Sequence, residues 1–357
     1  MSRKLASIQK VLAVDSIPGA DAIECLTILG WKVVAKKGEF KVNDLVCYCE
    51  VDSILPERPE FEFLRKNHFR IKTIKLKGQV SQGICFPLPI IPSCPLMSSI
   101  DEALQKYGIM KVTWQEGDDV TELLGVTKYE VQIPAQLAGV VKGNFPEFLH
   151  KTDEERIQTC KQLLEKHQNK KFYVTEKVDG SSMTVYFRRN EHLVDGEFGV
   201  CSRNMDLKET EGNSYWKVAR ELKLEEKLKL LGRNICLQGE LIGMGVQGNK
   251  YKLSGLEFRV FNVFDIDLGK NEDYIYFAEV VSRLQLTPVP VITANYELPK
   301  TVDELVEYSK GKSLLNKDTH REGIVLRPLV EEYSEDLRGR LSFKVINPNF
   351  LLKYDSE

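Results

Sequence analysis

The residues TEKVDGSS, 175 to 182, stand between two runs of strand-forming residues, KFYV before them and MTVYF after them. The two runs predict a pair of β-strands joined by a tight turn. Gly180 permits such a turn and lets a ligand approach the backbone closely. A lysine beside a buried sheet is costly unless it has a partner or a function. Taken alone, the stretch is also typical of a surface turn with a solvated lysine, so its meaning depends on the rest of the chain.

Length and composition indicate the class of protein. The chain has 357 residues, which predicts two domains, and its 42% hydrophobic and 29% charged residues are ordinary for packed cores with a solvated surface. Its apolar runs are shorter than the roughly 18 residues of a membrane helix. The N-terminus lacks the apolar block of a signal peptide. We therefore predict an intracellular monomer, cytoplasmic or nuclear, with no membrane partner.

Cysteine, histidine and charge patterns narrow the functions further. The eight cysteines form no CxxC pair and the five histidines form no HxH or HExxH pattern, so we predict no zinc site. A net charge of −2 gives no global attraction to nucleic acid. The local exception is Arg65 to Lys77, with seven basic residues, His68 included, and no acidic one. This segment is typical either of an edge strand protected by lysines or of a nucleic-acid groove.

The first 90 residues alternate between strand-like runs and turn residues. About five short strands in this length are typical of a small barrel of the OB type, which binds oligonucleotides. The phrase GADAIECLTILGWKVVAKKGEFKVNDLVCY, 19 to 48, resembles the OB modules of tRNA-binding proteins. We predict an OB-fold-like domain over 1–125, a linker over 126–150 and a second domain over 151–357. The predicted fold class is α+β, with an OB-fold β-barrel followed by antiparallel sheets and flanking helices.

The second domain is predicted to open with a helix. In KTDEERIQTCKQLLEKHQ, Thr152 is a good N-cap and Glu155 completes a capping box. The apolar residues of this stretch form one helical stripe: Ile157, Cys160, Leu163 and Leu164. Further helices are predicted near 214–231 and 301–315.

Five motifs follow the central lysine. They are GVCSRN at 199–204, LQGELIG at 237–243, FNVFDID at 261–267, REGIVLRP at 321–328 and SFKVIN at 342–347. Each alone is typical of an ordinary hairpin with a charged tip. Together with TEKVDGSS, and in this order, they resemble the nucleotidyltransferase motifs of the covalent ligase and mRNA-capping superfamily. The resemblance covers 145–354 and implies that the second domain is a nucleotidyltransferase.

The resemblance implies covalent catalysis by Lys177. In this superfamily a lysine amine attacks the α-phosphate of a nucleoside triphosphate, expels pyrophosphate and holds the nucleoside monophosphate. A free lysine has a pKa of about 10.4, so burial and a second cation have to lower the pKa. The motif order supplies Lys344 as that cation, which can also brace the α-phosphate.

The resemblance also implies roles around the ribose and the phosphates. Asp179 would orient the ribose and later the nick terminus, while Glu240 would hydrogen-bond the ribose. Arg203 would hold a phosphate or the ribose through its planar guanidinium. Glu322 would organise magnesium through water, because Mg²⁺ retains several waters and suits carboxylates. Glu240 is a second candidate for the metal.

Other residues are predicted to line the base and the pocket wall. Glu176 would contact the base edge, and Gly180 would let the nucleotide approach the turn. Phe264 would stack on the purine, with Phe261 as the second choice. Both aromatics are alternatively core residues of one strand. Arg156 would reach the nucleotide, or would be an ordinary ion-pair partner on a solvated helix face.

Domain order distinguishes the relatives of this superfamily. DNA ligases and capping guanylyltransferases place an OB domain after the nucleotidyltransferase, whereas here the barrel-like half comes first and only 13 residues follow Lys344. This order looks like the ATP-dependent RNA ligases with an N-terminal OB domain, known from a bacterial and an amoeboid member. It implies joining of 3′-OH and 5′-phosphate RNA ends, or of nicked duplex RNA, through a lysyl-AMP and an adenylylated RNA. ATP is the expected substrate, with two Mg²⁺ or Mn²⁺ ions.

Three alternatives remain open from the sequence: a DNA ligase, a GTP-dependent capping-type enzyme and a catalytically silent RNA-binding protein. The last motif also departs from the pattern of related ligases, which often carry two lysines at alternate positions. Here Ser342 and Ile346 flank Lys344 at those positions. The second cation that braces the phosphate is therefore not evident.

Overall fold

The computed structural model describes residues 4–92, 114–129, 139–190, 192 and 195–354. The chain divides into two compact units, Met1–Gln132 with Leu351–Glu357, and Ile133–Phe350. Within the described residues, none of the helices has both the length and the apolar character needed to cross a membrane.

The first unit is built mainly of short antiparallel strands. They are β1 (Ala6–Ser16), β2 (Ile23–Ile28), β3 (Trp31–Lys36), β4 (Leu45–Cys49), β5 (Ser53–Ile54), β6 (Ile74–Leu76), β7 (Gln79–Ser81), β8 (Ile84–Phe86) and β9 (Thr127–Lys128). Short helices lie at Pro59–Asn67, Leu88–Ile90 and Thr121–Leu124. Five strands form one sheet in the order β3-β2-β1-β4-β8.

Strand β1 organises this sheet because it pairs on both sides. Its first half pairs with β4 and its second half with β2, and the register shifts at a bulge between Val11 and Ala13. A bulge bends a strand and increases its twist, which lets one sheet curl around a core. Trp31 and Tyr48 are almost fully buried in that core. This is the architecture that the alternation of strand and turn residues predicts.

Two details of the first half differ from the strand-like runs in the sequence. The run ECLTILGWKVVAKKG holds two strands, β2 and β3, which form a hairpin around Leu29 in the left-handed region. The basic run from Arg65 to Lys77 is not one strand. It begins in a helical turn, and only Ile74–Leu76 is extended, as β6 paired with β7.

The second unit contains the remaining strands. They are β10 (Val141–Asn144), β11 (Glu155–Arg156), β12 (Lys171–Lys177), β13 (Ser181–Arg188), β14 (Glu197–Cys201), β15 (Met205–Leu207), β16 (Ile235–Gly243), β17 (Leu256–Asp265), β18 (Lys270–Asn271), β19 (Thr287–Pro288), β20 (Val291–Glu297), β21 (Gly323–Pro328), β22 (Tyr333–Ser334), β23 (Gly339–Arg340) and β24 (Phe343–Ile346). Helices lie at Gln162–Lys166, Ser214–Glu221, Leu224–Lys229, Tyr274–Arg283 and Val302–Ser309, with short helical turns at Ile157–Thr159 and Gln247–Asn249, and a helix at Pro348–Tyr354 ends the described chain.

These strands form two main sheets. The large sheet has the order β10-β15-β14-β13-β16-β17-β18, with β19 also beside β17, and the small sheet has the order β11-β24-β21-β12-β20. Strand β10 lies inside the predicted linker. Strands β12 and β13 are consecutive along the chain but belong to different sheets, so the residues between them pass from one sheet to the other.

The helix predicted to begin at Thr152 is wrong. Residues Glu155–Arg156 form strand β11, a helical turn follows at Ile157–Thr159, and only Gln162–Lys166 is α-helical. Strand β11 pairs in parallel with β24, so sheet pairing with a distant segment overrides the local capping signal. The predicted apolar stripe is nevertheless buried in one core cluster: Ile157, Cys160, Leu163 and Leu164.

The two later helices are confirmed with shorter bounds. The first is broken into two helices by Lys223, which takes a left-handed conformation. The second, Val302–Ser309, begins with a capping box between Thr301 and Glu304.

A buried ion pair joins strand β21 of the small sheet to the segment before β11. Arg327 of β21 is 2% exposed and contacts the Glu154 carboxylate at 2.5 Å. Its Nε donates to Ser342 Oγ at 3.1 Å. The positive charges of Arg327 and Lys344 hold the pKa of Glu154 below its usual value, although burial opposes them. Removal of one charged side chain from such a pair leaves the other charge buried without a partner, which destabilises the fold.

We expect Arg327→Met to lower the free energy of unfolding by about 3–5 kcal/mol, because it leaves Glu154 buried and charged. Replacing both residues, with Glu154→Leu added, should recover a large part of the loss. Arg220→Met is the matched control, since Arg220 pairs with the exposed Glu209. Chemical denaturation measures all three variants. An equal cost for Arg327→Met and Arg220→Met would contradict this account of the buried pair.

Candidate active site

The turn at 177–180 lies between the two sheets of the second unit. Lys177 ends β12, and Ser181 begins β13. A Cβ on Gly180 would lie 2.5 Å from the carbonyl oxygen of Leu241 and 2.7 Å from Cγ of Glu240. The turn therefore rests directly against β16, and only glycine fits there.

Strand pairing brings Lys177 to Glu322. Lys177 is opposite Gly323 in the β12–β21 pairing, one residue after Glu322. The Lys177 Nζ lies 2.6 Å from Glu322 Oε1, with the two side chains 27% and 16% exposed. The motifs TEKVDGSS and REGIVLRP thus meet at this contact, although 145 residues separate Lys177 from Glu322.

The electrostatics of Lys177 differ from the expectation of a lowered pKa. Burial alone would lower its pKa, but the carboxylates of Glu322 and Glu240 outweigh burial and raise it above the usual value. The unliganded protein therefore holds Lys177 as a protonated ammonium in an ion pair, which cannot attack a phosphate.

Burial acts strongly on the two carboxylates around Lys177. It raises the pKa of Glu240 to about 8, and the positive charge of Lys177 only partly opposes the rise. It also raises the pKa of Glu322, again against the attraction of Lys177. Within the described part of the chain, the buried Oε2 of Glu322 has no hydrogen-bond partner. This site therefore has a spare, buried carboxylate oxygen.

Carboxylate oxygens suit a hard divalent cation bound mainly through water. Glu322 and Glu240 are the carboxylates beside Lys177, and the unpartnered Oε2 of Glu322 would accept a bond from a metal-bound water. The described residues contain no group of three or more His, Cys, Asp or Glu side chains arranged to hold a metal unaided. The fit is thus to an ion that retains water and is completed by its substrate.

Two further cations stand side by side in the small sheet. Arg156 of β11 is opposite Lys344 of β24, and Lys344 is opposite Val325 of β21. Lys344 lies near enough to Glu322 to lower its pKa. Arg156 is 9% exposed and lies in a strand, so the alternative of a solvated helix face is wrong for it.

Glu176 is buried beside the turn. It is 1% exposed, and its Oε2 accepts a hydrogen bond from the backbone N–H of Leu314 at 2.8 Å. Its buried Oε1 has no partner among the described residues. Burial raises the pKa of this carboxyl group. The residue before Lys177 thus carries an unsatisfied buried hydrogen-bonding atom, which is a costly arrangement in the absence of a ligand.

The two phenylalanines of FNVFDID lie in different clusters. Phe264 is 1% exposed, and its ring lies 5.1 Å from that of His150. Phe261 is half-buried in a cluster that includes Val178, the neighbour of Lys177. The register of β16 and β17 shifts beside Phe261, between Gln238 and Gly239. Stacking by Phe264 stays a prediction. Phe261 packs in the same cluster as Val178 of the turn.

Arg203 and Asp179 have partners of their own. Arg203, on the loop between β14 and β15, contacts the Asp153 carboxylate at 2.6 Å, and both side chains are more than half exposed. Its charge also reaches Glu240, whose pKa it lowers slightly against burial. Asp179 Oδ2 accepts a hydrogen bond from Lys250 Nζ at 2.6 Å.

Comparison with known proteins identifies the family. A family model described as RNA ligase matches residues 170–346, and a model of an OB-fold domain matches residues 5–88. The structure of Naegleria gruberi RNA ligase with PPi is 38% identical, with a TM-score of 0.83 and coverage of 100% of both chains. A mutant of that ligase with ATP and Mn is 37% identical, with a TM-score of 0.83 and coverage of 99% of this chain and 100% of that one.

The chain belongs to the RNA ligase family.

A second mutant of the same ligase, with AMP and Mn, is 37% identical, with a TM-score of 0.82. The match covers 99% of this chain and 100% of the mutant's chain. A search of curated proteins found no match. The family, the fold class and the enzyme class predicted from the motifs are confirmed. The ATP and manganese named for the Naegleria structures agree with the predicted substrate and metal.

Sequence reasoning missed two residues that contact Asp179 in this RNA ligase, Lys250 and Tyr251, and one buried residue of the small sheet, Arg327. Arg327 lies inside a quoted motif but received no role, and its signal was an arginine in an otherwise apolar strand. Lys250 and Tyr251 lie outside every motif, in a glycine-rich loop that carries no recognisable pattern. Both contact Asp179, the backbone N–H of which donates to Tyr251 Oη at 2.7 Å.

Glu240 makes the stability of this RNA ligase depend on pH. Its folded pKa of about 8 exceeds the ordinary value of 4.5, so between these values the folded state binds a proton that the unfolded state lacks. Stability contributed by Glu240 is therefore present below pH 4.5 and is lost as pH rises through 8. We expect Glu240→Gln to remove about 3–4 kcal/mol of this decline between pH 5 and pH 8.

The measurement is the unfolding free energy at pH 5 and pH 8 without nucleotide or metal. Glu297→Gln, which changes an exposed carboxylate of β20, is the matched control and should retain the wild-type decline. Equal declines in wild type and Glu240→Gln would show that Glu240 does not titrate in this range.

Proposed function

We propose that the protein joins RNA ends with 3′-OH and 5′-phosphate groups in an ATP-dependent reaction, through a lysyl-AMP at Lys177 and an adenylylated RNA. The observation that carries the proposal is the contact of Lys177 with Glu322 at a turn crowded with carboxylates. Membership of the RNA ligase family supports it, as do the ATP, AMP and PPi named for the Naegleria structures.

The first step forms one bond and breaks another. Lys177 Nζ forms a bond to the α-phosphorus of ATP, and the bond from that phosphorus to the pyrophosphate oxygen breaks. Lys177 has to lose a proton to solvent before the attack, because the ion pair with Glu322 keeps it protonated. Lys344, on the neighbouring strand, would offset the charge of the α-phosphate. Arg156, beside Lys344, is the proposed second cation.

Glu322 and Glu240 would hold a divalent cation, mainly through water. Such a cation supplies positive charge that weakens the hold of Glu322 on Lys177 and offsets the charge of the leaving pyrophosphate. This explains physically why a nucleophilic lysine lies among carboxylates that raise its pKa. The carboxylates suppress the reaction in the absence of metal and nucleotide, and the bound substrate reverses their effect.

The remaining groups would orient the nucleoside and the RNA. Asp179 and Arg203 are proposed to act on the ribose, phosphates and RNA end. Phe264 is the predicted residue for stacking on the purine. Phe261 is the alternative, and its packing in one cluster with Val178, the neighbour of Lys177, supports it. The unpartnered Glu176 Oε1 suits the exocyclic amino group of adenine, which donates, better than the O6 of guanine, which accepts. This favours ATP over GTP. RNA, as ends or a nicked duplex, is the proposed partner.

Lys177→Ala should abolish labelling of the protein by α-labelled ATP with magnesium, because no other amine would form the adduct. Lys171→Ala is the matched control, since Lys171 lies on the same strand and pairs with the exposed Glu297. It should label within about twofold of wild type, as expected for an exposed pair. Label retained in Lys177→Ala would assign the nucleophile elsewhere, and label from GTP alone would favour a capping-type enzyme.

Sealing assays then distinguish RNA from DNA substrates. Nicked duplexes with RNA or DNA on the 3′-OH side, on the 5′-phosphate side or on both should be sealed fastest when the reacting ends are RNA. Equal or faster sealing of all-DNA nicks would favour the DNA ligase alternative. Labelling without sealing of any nick would leave adenylylation as the whole activity.

Glu176→Gln should change nucleotide choice. The amide retains the shape of the side chain but can present a donor where the carboxylate presents an acceptor. We expect the ratio of ATP to GTP labelling rates to fall about tenfold, the effect of one mismatched hydrogen bond. Glu155→Gln, on the exposed side of β11, is the control. An unchanged ratio would exclude Glu176 as a reader of the base.

A further inference from the structure

Two consecutive residues outside the motifs hold Asp179. Lys250 Nζ donates to the Asp179 carboxylate at 2.6 Å, and the two side chains are 20% and 18% exposed. Tyr251 Oη accepts from the Asp179 backbone N–H at 2.7 Å. One side chain thus fixes the carboxylate and the next fixes the main chain of the same residue.

The loop that carries these residues, 244–253, is held in an unusual conformation. Gln247, Asn249 and Lys252 all have positive φ angles, of 45°, 46° and 56°. Side chains other than glycine adopt this region at a cost in energy, and such residues cluster at functional sites. The surrounding structure therefore has to impose the conformation.

The surroundings of the loop supply that constraint. Asn316 Nδ2 donates to the Lys250 carbonyl at 3.1 Å, and the side-chain amide of Asn249 hydrogen-bonds both backbone groups of Leu253. Tyr251 is only 4% exposed, and its side chain packs in a cluster with Val178. The loop presents Lys250 and Tyr251 from a fixed position.

The arrangement also affects the charge balance around Lys177. Asp179, Glu240 and Glu322 all act electrostatically on Lys177. With no cation of its own, the Asp179 carboxylate would compete with Glu322 for the lysine. Lys250 takes up the charge of Asp179, which leaves Lys177 to Glu322. On its other side, the turn is pressed against β16 at Gly180, where even a Cβ would not fit.

We propose that Lys250 and Tyr251 form a clamp that positions Asp179 for the ligation reaction. The clamp rests on the proposed function in one respect, that Asp179 acts in adenylylation or sealing. Both members act through Asp179, so they are positioning residues and not catalytic ones.

A double-mutant cycle tests the clamp. The rates of protein adenylylation and of sealing of a pre-adenylylated RNA nick are measured for wild type, Lys250→Met, Asp179→Ala and the double variant. We expect Lys250→Met to slow the step that Asp179→Ala slows by about tenfold or more, and the double variant to be no slower than Asp179→Ala. Lys250→Arg should recover most of the rate. Because a purely structural role would give neither non-additivity nor rescue, these readouts separate the two roles.

Lys252→Met is the matched control for the loop. Lys252 shares the loop and a positive φ, but it pairs at 3.0 Å with Asp318 where both side chains are more than two-thirds exposed. It should react within about twofold of wild type. Additive losses in the double variant, or a wild-type rate for Lys250→Met, would overturn the clamp.

Amide hydrogen exchange tests the clamp without any activity. Tyr251→Phe removes the acceptor of the Asp179 N–H but retains the buried ring, so exchange at Asp179 should accelerate about tenfold. Lys252→Met should leave it unchanged. An unchanged exchange rate in Tyr251→Phe would overturn the clamp. Failure of wild type to form an adenylate would instead overturn the proposed function, so the two failures are distinguishable.

Discussion

The antiparallel pairing of β12 with β21 is the constraint on which the site depends. It places Lys177 opposite Gly323, and so brings Glu322 to 2.6 Å from the lysine amine. The same strand β21 pairs on its other side with β24, which carries Lys344. Three motifs that are far apart in sequence thus become neighbours through one sheet. A slip of one residue in this register would turn the side chain opposite Lys177 to the other face of the sheet and separate Lys177 from Glu322.

The charge balance at Lys177 explains why its pKa is raised in the absence of a nucleotide. Burial disfavours an ammonium, but burial also disfavours the carboxylates around it, and ion pairing is the arrangement that lowers both costs. Lys177 and Glu322 therefore stabilise each other's charged forms. In the proposed reaction, a divalent cation bound with the nucleotide would compete for Glu322 and so would make deprotonation of Lys177 easier.

The motifs and the domain order could be predicted from the sequence because each has a local signal: a glycine turn, a lysine, carboxylates in alternating strands. Features that depend on distant partners could not. The helix expected at Thr152 gave way to pairing between β11 and β24. Phe261 lies at a register shift between β16 and β17, which alternation of residue types alone does not reveal. The pKa of Lys177 depends on carboxylates from three segments.

The last motif carries one lysine, Lys344, with Ser342 and Ile346 at the two alternate positions beside it. The hydroxyl of Ser342 accepts a hydrogen bond from the buried Arg327. Arg327 is already neutralised by Glu154 in the interior, so it braces the sheet and leaves no charge for a phosphate. Arg156 is in register with Lys344 on the adjacent strand, and it is the second cation of the proposed reaction. In that proposal, pairing of β11 with β24 would supply by tertiary structure the charge that the motif itself lacks.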